Sequence, residues 1–286
     1  MTFADFFESA IARRALLACV LIGFTNGFVS GFVVLRATAL KVGTISHSLL
    51  PGIALAVLLT GGLTDWSTLA GAVFAAMIVG LGSLMISRTS RIKEDAAMGI
   101  LYTTAFAIGL LILNQLSLRA KLDEWIFGSI VGMSNADLWT AFGVSVLSVL
   151  LLTALQRPIL IWLFEENIAA SLGVPVRALN YALFAVVILV LISSLQAVGC
   201  ILSVGLLVAP AATIYLFSND ARLLFWGGGA LGAAGSVLAF FLSYPLGWHI
   251  SSTIIVVLGG LFFLAYIFSP RYGLISQWLG RRQSPA

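Results

Sequence analysis

His47 is the first candidate for chemistry in this sequence. It is one of two histidines among 286 residues, and it lies in the stretch RATALKVGTISHSLLPG, where Arg36 and Lys41 interrupt an apolar run that resumes at Pro51. Ionisable groups within a membrane usually face a cavity, a partner or a transport pathway. Neutral imidazole is also the commonest protein ligand for transition metals. The stretch therefore indicates part of a route through a membrane, with a histidine that hydrogen-bonds a neighbouring helix as the structural alternative.

Two other places have residues that bind metals, but each has a simpler interpretation. His249 stands beside Trp248 at the start of the last apolar segment, where such a pair typically anchors a helix at the membrane surface. The adjacent acids Glu94 and Asp95 precede an apolar run, where carboxylates favourably oppose the dipole of a helix. We therefore keep His249 as a possible metal contact and interpret the two acids as a helix start.

The composition predicts an all-α polytopic transmembrane bundle. Hydrophobic residues make up 60% of the chain, charged residues 9%, and the mean hydropathy is +1.10, whereas ordinary soluble domains have about 25% charged residues. Pro51 predicts a kink or half-helix in the second span, and Pro210 a kink in the seventh. Apolar segments of spanning length or somewhat less number about nine: 15–35, 45–60, 67–87, 96–116, 137–155, 179–197, 199–217, 222–243 and 250–268.

The loops predict the domain limits and the orientation. Residues 1–14 form an amphipathic lead-in, 15–268 the transmembrane domain and 269–286 a cytoplasmic tail. Nine crossings put the termini on opposite sides, and positive charge favours the inner side. With the N-terminus outside, four cations lie outside (Arg13, Arg14, Arg119 and Lys121) and eleven inside: Arg36, Lys41, Arg88, Arg91, Lys93, Arg157, Arg177, Arg222, Arg271, Arg281 and Arg282. The outer loop also holds an apolar run, 126–133, that is too short to span and favours a re-entrant or interfacial piece.

The longest inner loop, residues 157–178, predicts a short surface helix. Glu165 and Glu166 precede a helix-forming run, Gly173 is placed to end it, and Pro175 prevents its continuation. Such a helix is either a plain connection or a docking element for a soluble partner. The chain has no GxxxxGK[ST] phosphate loop, no HExxH and no GxSxG, so energy for transport must come from a gradient or from a partner.

Four stretches together resemble the permease family of zinc and manganese ABC importers. They are FVVLRATALKVGTISHSLLPGIALA, EDAAMGILYTTAFAIGLLIL, AVGCILSVGLLVAPAATIYLF and the loop EENIAASLGVPVRALN, which is similar to the helix that couples these permeases to their ATPase. The resemblance covers residues 15–268 in order. It implies a type II importer-like permease, homodimeric or paired, with two cytoplasmic subunits that bind ATP and Mg²⁺ and an external metal-binding protein. It implies no enzyme activity, cofactor or nucleic acid for this chain.

The resemblance also implies a transport site at His47. The family has an aspartate four residues before this histidine, where this chain has Gly43, and another near the ninth span, where it has Gly247. Because imidazole suits zinc and carboxylate suits manganese, zinc is expected first and manganese second. Ser46 and Ser48, beside His47, and His249 are possible further ligands, with backbone oxygen or water as alternatives. The resemblance of the loop to the coupling helix implies ATPase contacts at Glu165, Glu166, Ala169, Ala170, Leu172 and Gly173.

Three rivals remain at this point. A permease for a siderophore or cobalamin is the nearest, an ATP-independent metal channel or carrier is the next, and an intramembrane enzyme is the remotest. A copurifying ATPase separates the first from the other two.

Overall fold

The described part of the chain is entirely helical. The computed structural model describes residues 9–61, 65–115, 128–270 and 273–274, and within these ranges it contains no strand. The helices are α1 (Ala10–Leu35), α2 (Ala39–Thr60), α3 (Asp65–Thr89), α4 (Glu94–Gln115), α5 (Asn135–Ala154), α6 (Gln156–Phe164), α7 (Glu166–Ser171), α8 (Val176–Val198), α9 (Cys200–Leu206), α10 (Ala209–Tyr215), α11 (Gly228–Leu246) and α12 (Ile250–Phe268). A π-helical turn, Leu223–Gly227, leads into α11.

In the described part of the chain, eight helices are long and apolar enough to cross a bilayer, which confirms the predicted fold class. Two of them begin five or six residues earlier than predicted. Helix α1 starts at Ala10, so residues 10–14 belong to the first long helix, while residues 1–8 of the predicted lead-in lie outside the described residues. Helix α2 starts at Ala39 and continues through Pro51 to Thr60. The half-helix expected there is wrong, and His47 lies in the third turn of a continuous helix.

The seventh predicted span, 199–217, is a broken crossing. Helices α9 and α10 are separated at Leu207 and Val208, three residues before the predicted kink, and Pro210 occupies the first turn of α10, where it needs no amide partner. At one end, Ser251 Oγ donates to the carbonyl of Ala197 at 2.9 Å; at the other, Ser269 Oγ donates to that of Leu216 at 2.6 Å. Ser251 is in the first turn of α12 and Ser269 directly follows that helix, while Ala197 is near the end of α8 and Leu216 directly follows α10, so the chain between these two acceptors, α9 and α10, runs alongside α12.

Polar contacts identify which helix ends lie together. Arg14 donates to Asn135 Oδ1 at 3.3 Å near the starts of α1 and α5. Lys41 Nζ lies 2.9 Å from Glu94 Oε1 near the starts of α2 and α4. Following the described helices in order, α6 and α7 lie at the end that holds Lys41 and Glu94, which we name the α6–α7 end. Every described lysine and arginine except Arg13 and Arg14 lies at this end.

Helices α1 and α11 pack with their backbones in close approach. Gly23 and Gly27 of α1 face Gly232 and Gly228 of α11, and a Cβ at any of the four would collide with a backbone carbonyl oxygen across the interface. The glycines that recur at four-residue intervals on one face of α1 therefore form a helix–helix interface. Further along, aromatic rings cover it: Phe32 stacks on Phe225 with ring centroids 4.1 Å apart.

Residues 126 and 127 of the predicted re-entrant run lie outside the described residues. Its described part, 128–133, forms no helix, and Ile130 and Met133 are buried. Gly128 has φ +72° and lies against the backbone of Ala197 and Gly199. A capping box between Ser134 and Asp137 then starts α5. This loop is held against the end of α8 and the start of α9.

Candidate transport site and coupling segment

His47 lies between α2 and α4, half-buried against two aromatic rings. Its imidazole centroid is 5.8 Å from the ring of Tyr102, with the planes inclined by 28°, and 6.2 Å from the ring of Phe106 at 74°. Both neighbours belong to α4. The rings hold the imidazole from one side, because Tyr102 and Phe106 are one helical turn apart on the same face.

Helices α2 and α4 contact each other through a row of side chains that runs from His47 towards the α6–α7 end. Helix α4 presents Glu94, Met98, Tyr102 and Phe106 at four-residue intervals, which places all four on one face. Helix α2 runs parallel to α4, and the residues of α2 that contact this face are three residues apart. These contacts are Lys41 with Glu94 at 2.9 Å, Thr44 Oγ1 with Met98 Sδ at 3.5 Å, and His47 with Tyr102. We call this set of contacts the α2–α4 seam.

The serines on either side of His47 point elsewhere. Ser46 Oγ lies 2.8 Å from Ser203 Oγ on α9, and Ser48 Oγ donates to the carbonyl of Ile45 at 2.7 Å. Both residues are fully buried. Successive side chains of an α-helix are rotated by about 100°, so neither serine shares the face of His47. The structure does not bring the predicted ligands Ser46 and Ser48 together with the imidazole in one chain.

His249 is also separate from His47. It is the exposed N-cap of α12, at the end of the bundle opposite α6–α7. His47 lies 13 residues before Thr60, where α2 reaches that opposite end, which corresponds to about 20 Å of helix. The two histidines therefore occupy different levels. Among the described residues, no group of three or more His, Cys, Asp and Glu side chains lies close enough to hold a metal ion.

Gly43 has room for a larger side chain. A Cβ built on it would have one neighbour within 4 Å, Val204 Cγ1 at 3.6 Å, which is an ordinary contact. Gly43 precedes His47 by one helical turn on the same side of α2. A carboxylate introduced at residue 43 is therefore compatible with the packing.

A cavity of about 240 Å³ opens below the seam at the α6–α7 end. Its polar lining includes Arg36, Lys41, Glu94 and Asn180, and Met98 forms part of its wall. Met98 precedes Tyr102, the ring beside His47, by one helical turn. The cavity therefore ends close to the level of the imidazole.

The predicted surface helix exists as α7. Gly173 has φ +76°, and its amide donates to the carbonyl of Ala170 while that of Val174 donates to Ala169. This is a Schellman termination, as the glycine predicted, because a left-handed residue is needed there. Glu165 is exposed and extended before the helix. For Glu166 only the backbone, the first residue of α7, is described.

One predicted docking residue is in the core instead. Ala169 has no exposed surface and belongs to the main hydrophobic cluster. It therefore packs against its own chain and cannot enter a groove of a partner. The exposed apolar side chains of the segment are Ile168 at 51%, Leu172 at 64% and Phe164 at 66%. Leu172 was predicted, and Ala170 is also exposed.

Arg36 connects this segment to the transport side of the bundle. Its guanidinium carbon lies 3.6 Å from the centre of the Trp162 ring, within the range of a cation–π contact. Trp162 belongs to α6 and is almost completely buried. Arg36 belongs to the turn between α1 and α2, where Ala37 has a positive φ of 54°. The contact between Arg36 and Trp162 thus links α6 to the turn that directly precedes α2, the helix that carries His47.

Sequence analysis missed the residues that surround His47. The sequence contained a signal for them, because Glu94, Met98, Tyr102 and Phe106 recur at the four-residue interval of one helix face. It also assigned no partners to Thr25, which donates to Ser145 Oγ at 2.6 Å, or to Ser30, which accepts from the amide of Ala211 at 3.1 Å. Spacing within one helix does not indicate which other helix lies opposite.

The bundle and the seam define a polytopic membrane permease, and comparison with known proteins gives its family. The model of the ABC 3 transport family matches residues 8–269, and the chain belongs to this family. The manganese transport system membrane protein MntC of Halalkalibacterium halodurans is 32% identical over 283 residues, covering 98% of this chain and 95% of that protein. The manganese import system permease protein ScaB of Streptococcus parasanguinis is 32% identical, covering 91% of each.

A solved structure agrees with this assignment. PsaBC from Streptococcus pneumoniae in complex with Fab contains a chain with a TM-score of 0.87 and 28% identity, covering 99% of this chain and 100% of that one. A chain of a metal-chelate type ABC transporter shares the fold at a TM-score of 0.72 and 16% identity, covering 92% and 87%. This chain is therefore a permease subunit and not the catalytic component, because ATP hydrolysis belongs to a separate subunit in the family.

Proposed function

We propose that this chain is the membrane-spanning permease of an ATP-driven importer for a divalent transition metal, with manganese as the substrate. The observation that carries the proposal is a lone imidazole, His47, on a polar seam between two spanning helices of an ABC 3 permease. The relatives MntC and ScaB are named for manganese. These names favour manganese over zinc, which the histidines alone led us to expect first.

An open site suits transport. One imidazole per chain, without a cluster of acids beside it among the described residues, holds a metal less tightly than a closed set of four ligands would. A passing ion must be released, so moderate affinity is an advantage. Two copies of the chain that meet in a homodimer would supply two imidazoles, with water or backbone oxygen completing the shell.

The α6–α7 end is the cytoplasmic side in this proposal. It holds the described cations other than Arg13 and Arg14, as expected for the inner surface. Helix α7 then faces the ATPase, the start of α1 faces outward, and a metal-binding protein delivers the substrate at the opposite end. An N-terminus outside and a C-terminus in the cytoplasm follow.

Uptake by the assembled importer tests the substrate. Proteoliposomes containing permease, ATPase and external binding protein should accumulate Mn²⁺ when ATP is supplied, and excess Zn²⁺ should compete less well than excess Mn²⁺. Gly43→Asp should raise the preference for Mn²⁺ further, because it adds a hard oxygen ligand one turn from His47. Gly43→Asn, of similar size but neutral, is the control. Accumulation of Zn²⁺ in preference to Mn²⁺ would refute the proposed substrate, and transport of a metal chelate alone would favour the siderophore or cobalamin alternative.

Charges on the exposed face of α7 should uncouple transport. Ile168→Glu combined with Leu172→Glu should prevent binding of the ATPase, because both side chains are more than half exposed and would bury a charge in the partner. Copurification of the two subunits and ATP-driven uptake should both fall, with the permease still inserted.

Two controls separate docking from folding. Asn167→Glu adds one negative charge, where the double variant adds two, at an exposed polar residue of α7 and should retain more coupling than Leu172→Glu alone. Ala169→Glu should instead reduce the amount of folded permease, since Ala169 is in the core. Normal copurification of the Ile168 and Leu172 double variant would place the docking surface elsewhere.

A further inference from the structure

Glu94 lies on the route that a cation would take from His47 to the α6–α7 end. It shares one face of α4 with Tyr102, eight residues further along, which corresponds to about 12 Å of helix. Its carboxylate also lines the cavity at that end. Between these levels, Thr44 and Met98 make the intervening contact of the seam. A metal ion that leaves the imidazole towards the cavity must part this buried contact, and the next charged oxygen ligand along the seam is then the Glu94 carboxylate.

The carboxylate is held by a partner that can leave. Lys41 Nζ lies 2.9 Å from Glu94 Oε1, and each side chain is 32% exposed. Lysine is a compact charge on a flexible four-carbon stem, so it can turn towards solvent without disturbing the helices. A divalent cation has twice the charge of the ammonium group, and carboxylate oxygen is a ligand that manganese prefers.

The residues around Lys41 and Glu94 favour rapid release of a metal ion from the Glu94 carboxylate. Arg36 also lines the cavity, and its charge is held over Trp162. The positive charges of Arg36 and Lys41 repel a metal ion at Glu94. A metal bound there is therefore destabilised relative to one in solution as soon as Lys41 returns to the carboxylate. The same return restores the ion pair and closes the carboxylate to ions from the cavity.

We propose that Glu94 is a second, exit-side binding station for the transported divalent cation, and that Lys41 occupies this carboxylate between transport events. This inference rests on the proposed function, since it concerns the same cargo and the same seam. It gives the acid, which sequence analysis assigned to the helix dipole alone, a role in release. It also gives the pathway one oxygen ligand in a chain that has Gly43 where the family has an aspartate.

The test compares variants in which the two partners of the pair are changed separately. Glu94→Gln should lower Mn²⁺ uptake by the complete importer by about tenfold or more, the scale seen when groups that support a metal site are lost, with assembly retained. Lys41→Met should slow uptake, because no ammonium group returns to displace the metal from the carboxylate, and should let preloaded Mn²⁺ leak out, because the carboxylate is no longer closed; assembly with the ATPase should be retained. Asp95→Asn is the matched control: it removes a negative charge from the same first turn, at an exposed residue, and should transport normally.

A purely structural ion pair predicts a different pattern. Both single variants would then lose uptake and assembly equally, and the neutral pair Lys41→Met with Glu94→Gln would recover both. In our proposal this neutral pair assembles but does not transport, which decides the matter even if Glu94→Gln alone fails to fold. Normal uptake by Glu94→Gln or by the neutral pair overturns the inference. If the wild-type importer accumulates no divalent metal, the proposed function fails instead.

Discussion

His47→Ala should abolish ATP-driven Mn²⁺ uptake while the permease still assembles with its ATPase. The imidazole is the ligand we assign to the transport site, and the neighbouring serines point to α9 and to the backbone of α2. The structural cost should be small by comparison, because the side chain is only half-buried. Uptake of labelled Mn²⁺ into proteoliposomes measures the first effect, and copurification measures the second.

A ring without nitrogen gives the sharper comparison. His47→Phe keeps an aromatic side chain against Tyr102 and Phe106 but has no atom that can bind a metal. It should therefore be as inactive as the alanine variant and at least as stable. His249→Ala, at the opposite end of the bundle, should retain uptake. Normal transport by His47→Phe would show that the imidazole is a packing group.

Gly27→Ala should destabilise the permease although it adds only one methyl group. The new Cβ would collide with the carbonyl oxygen of Gly228, which is backbone and cannot turn away, so α1 and α11 must separate. Overpacking of this kind costs about 1–3 kcal/mol, and close packing of small residues is a main source of helix association in membranes. We expect a lower yield of folded protein and a lower thermal unfolding midpoint in detergent.

A second glycine supplies the control. Gly143 is also within a spanning helix, α5, but a Cβ built on it has no neighbour within 4 Å. Gly143→Ala should leave the unfolding midpoint unchanged or raise it, because alanine is the better helix former. Equal effects of the two substitutions would mean that the α1–α11 contact is not a determinant of stability.

The fold was largely predictable because hydropathy dominates it. The order of the spans, the close-packing face of α1 and the termination of α7 at Gly173 all follow from residue types that permit few alternatives. The limits of α2 did not follow, since Arg36, Thr38 and Lys41 look like a loop by polarity. They instead form a three-residue turn and the first turn of a helix, where Lys41 gains an ionic partner from α4.

The candidate site was predictable at one residue and not beyond it. The rarity and setting of His47 were visible in the sequence. Of the two serines expected as ligands beside it, Ser46 instead contacts Ser203 on α9 and Ser48 bonds to the backbone of its own helix. Side chains adjacent in sequence diverge on a helix, and side chains four apart converge. The residues that surround the imidazole therefore come from α4, and only the pairing of α2 with α4 identifies them.

The broken crossing makes one part of the bundle mechanically compliant. Helix α9 is tied to α2 through Ser203 and Ser46, while α10 is tied to α1 through the amide of Ala211 and Ser30. An unbroken helix would transmit any sliding of α1 against α2 as strain along its whole hydrogen-bond ladder. Here the amide of Ala211 donates to the hydroxyl of Ser30 on another helix, and the amide of Val208 reaches only the carbonyl of Gly205, at 3.3 Å. Rotation at Leu207 and Val208 therefore breaks fewer hydrogen bonds than bending an unbroken helix would. We therefore expect relative movement of α1 and α2 to be accommodated at Leu207 and Val208.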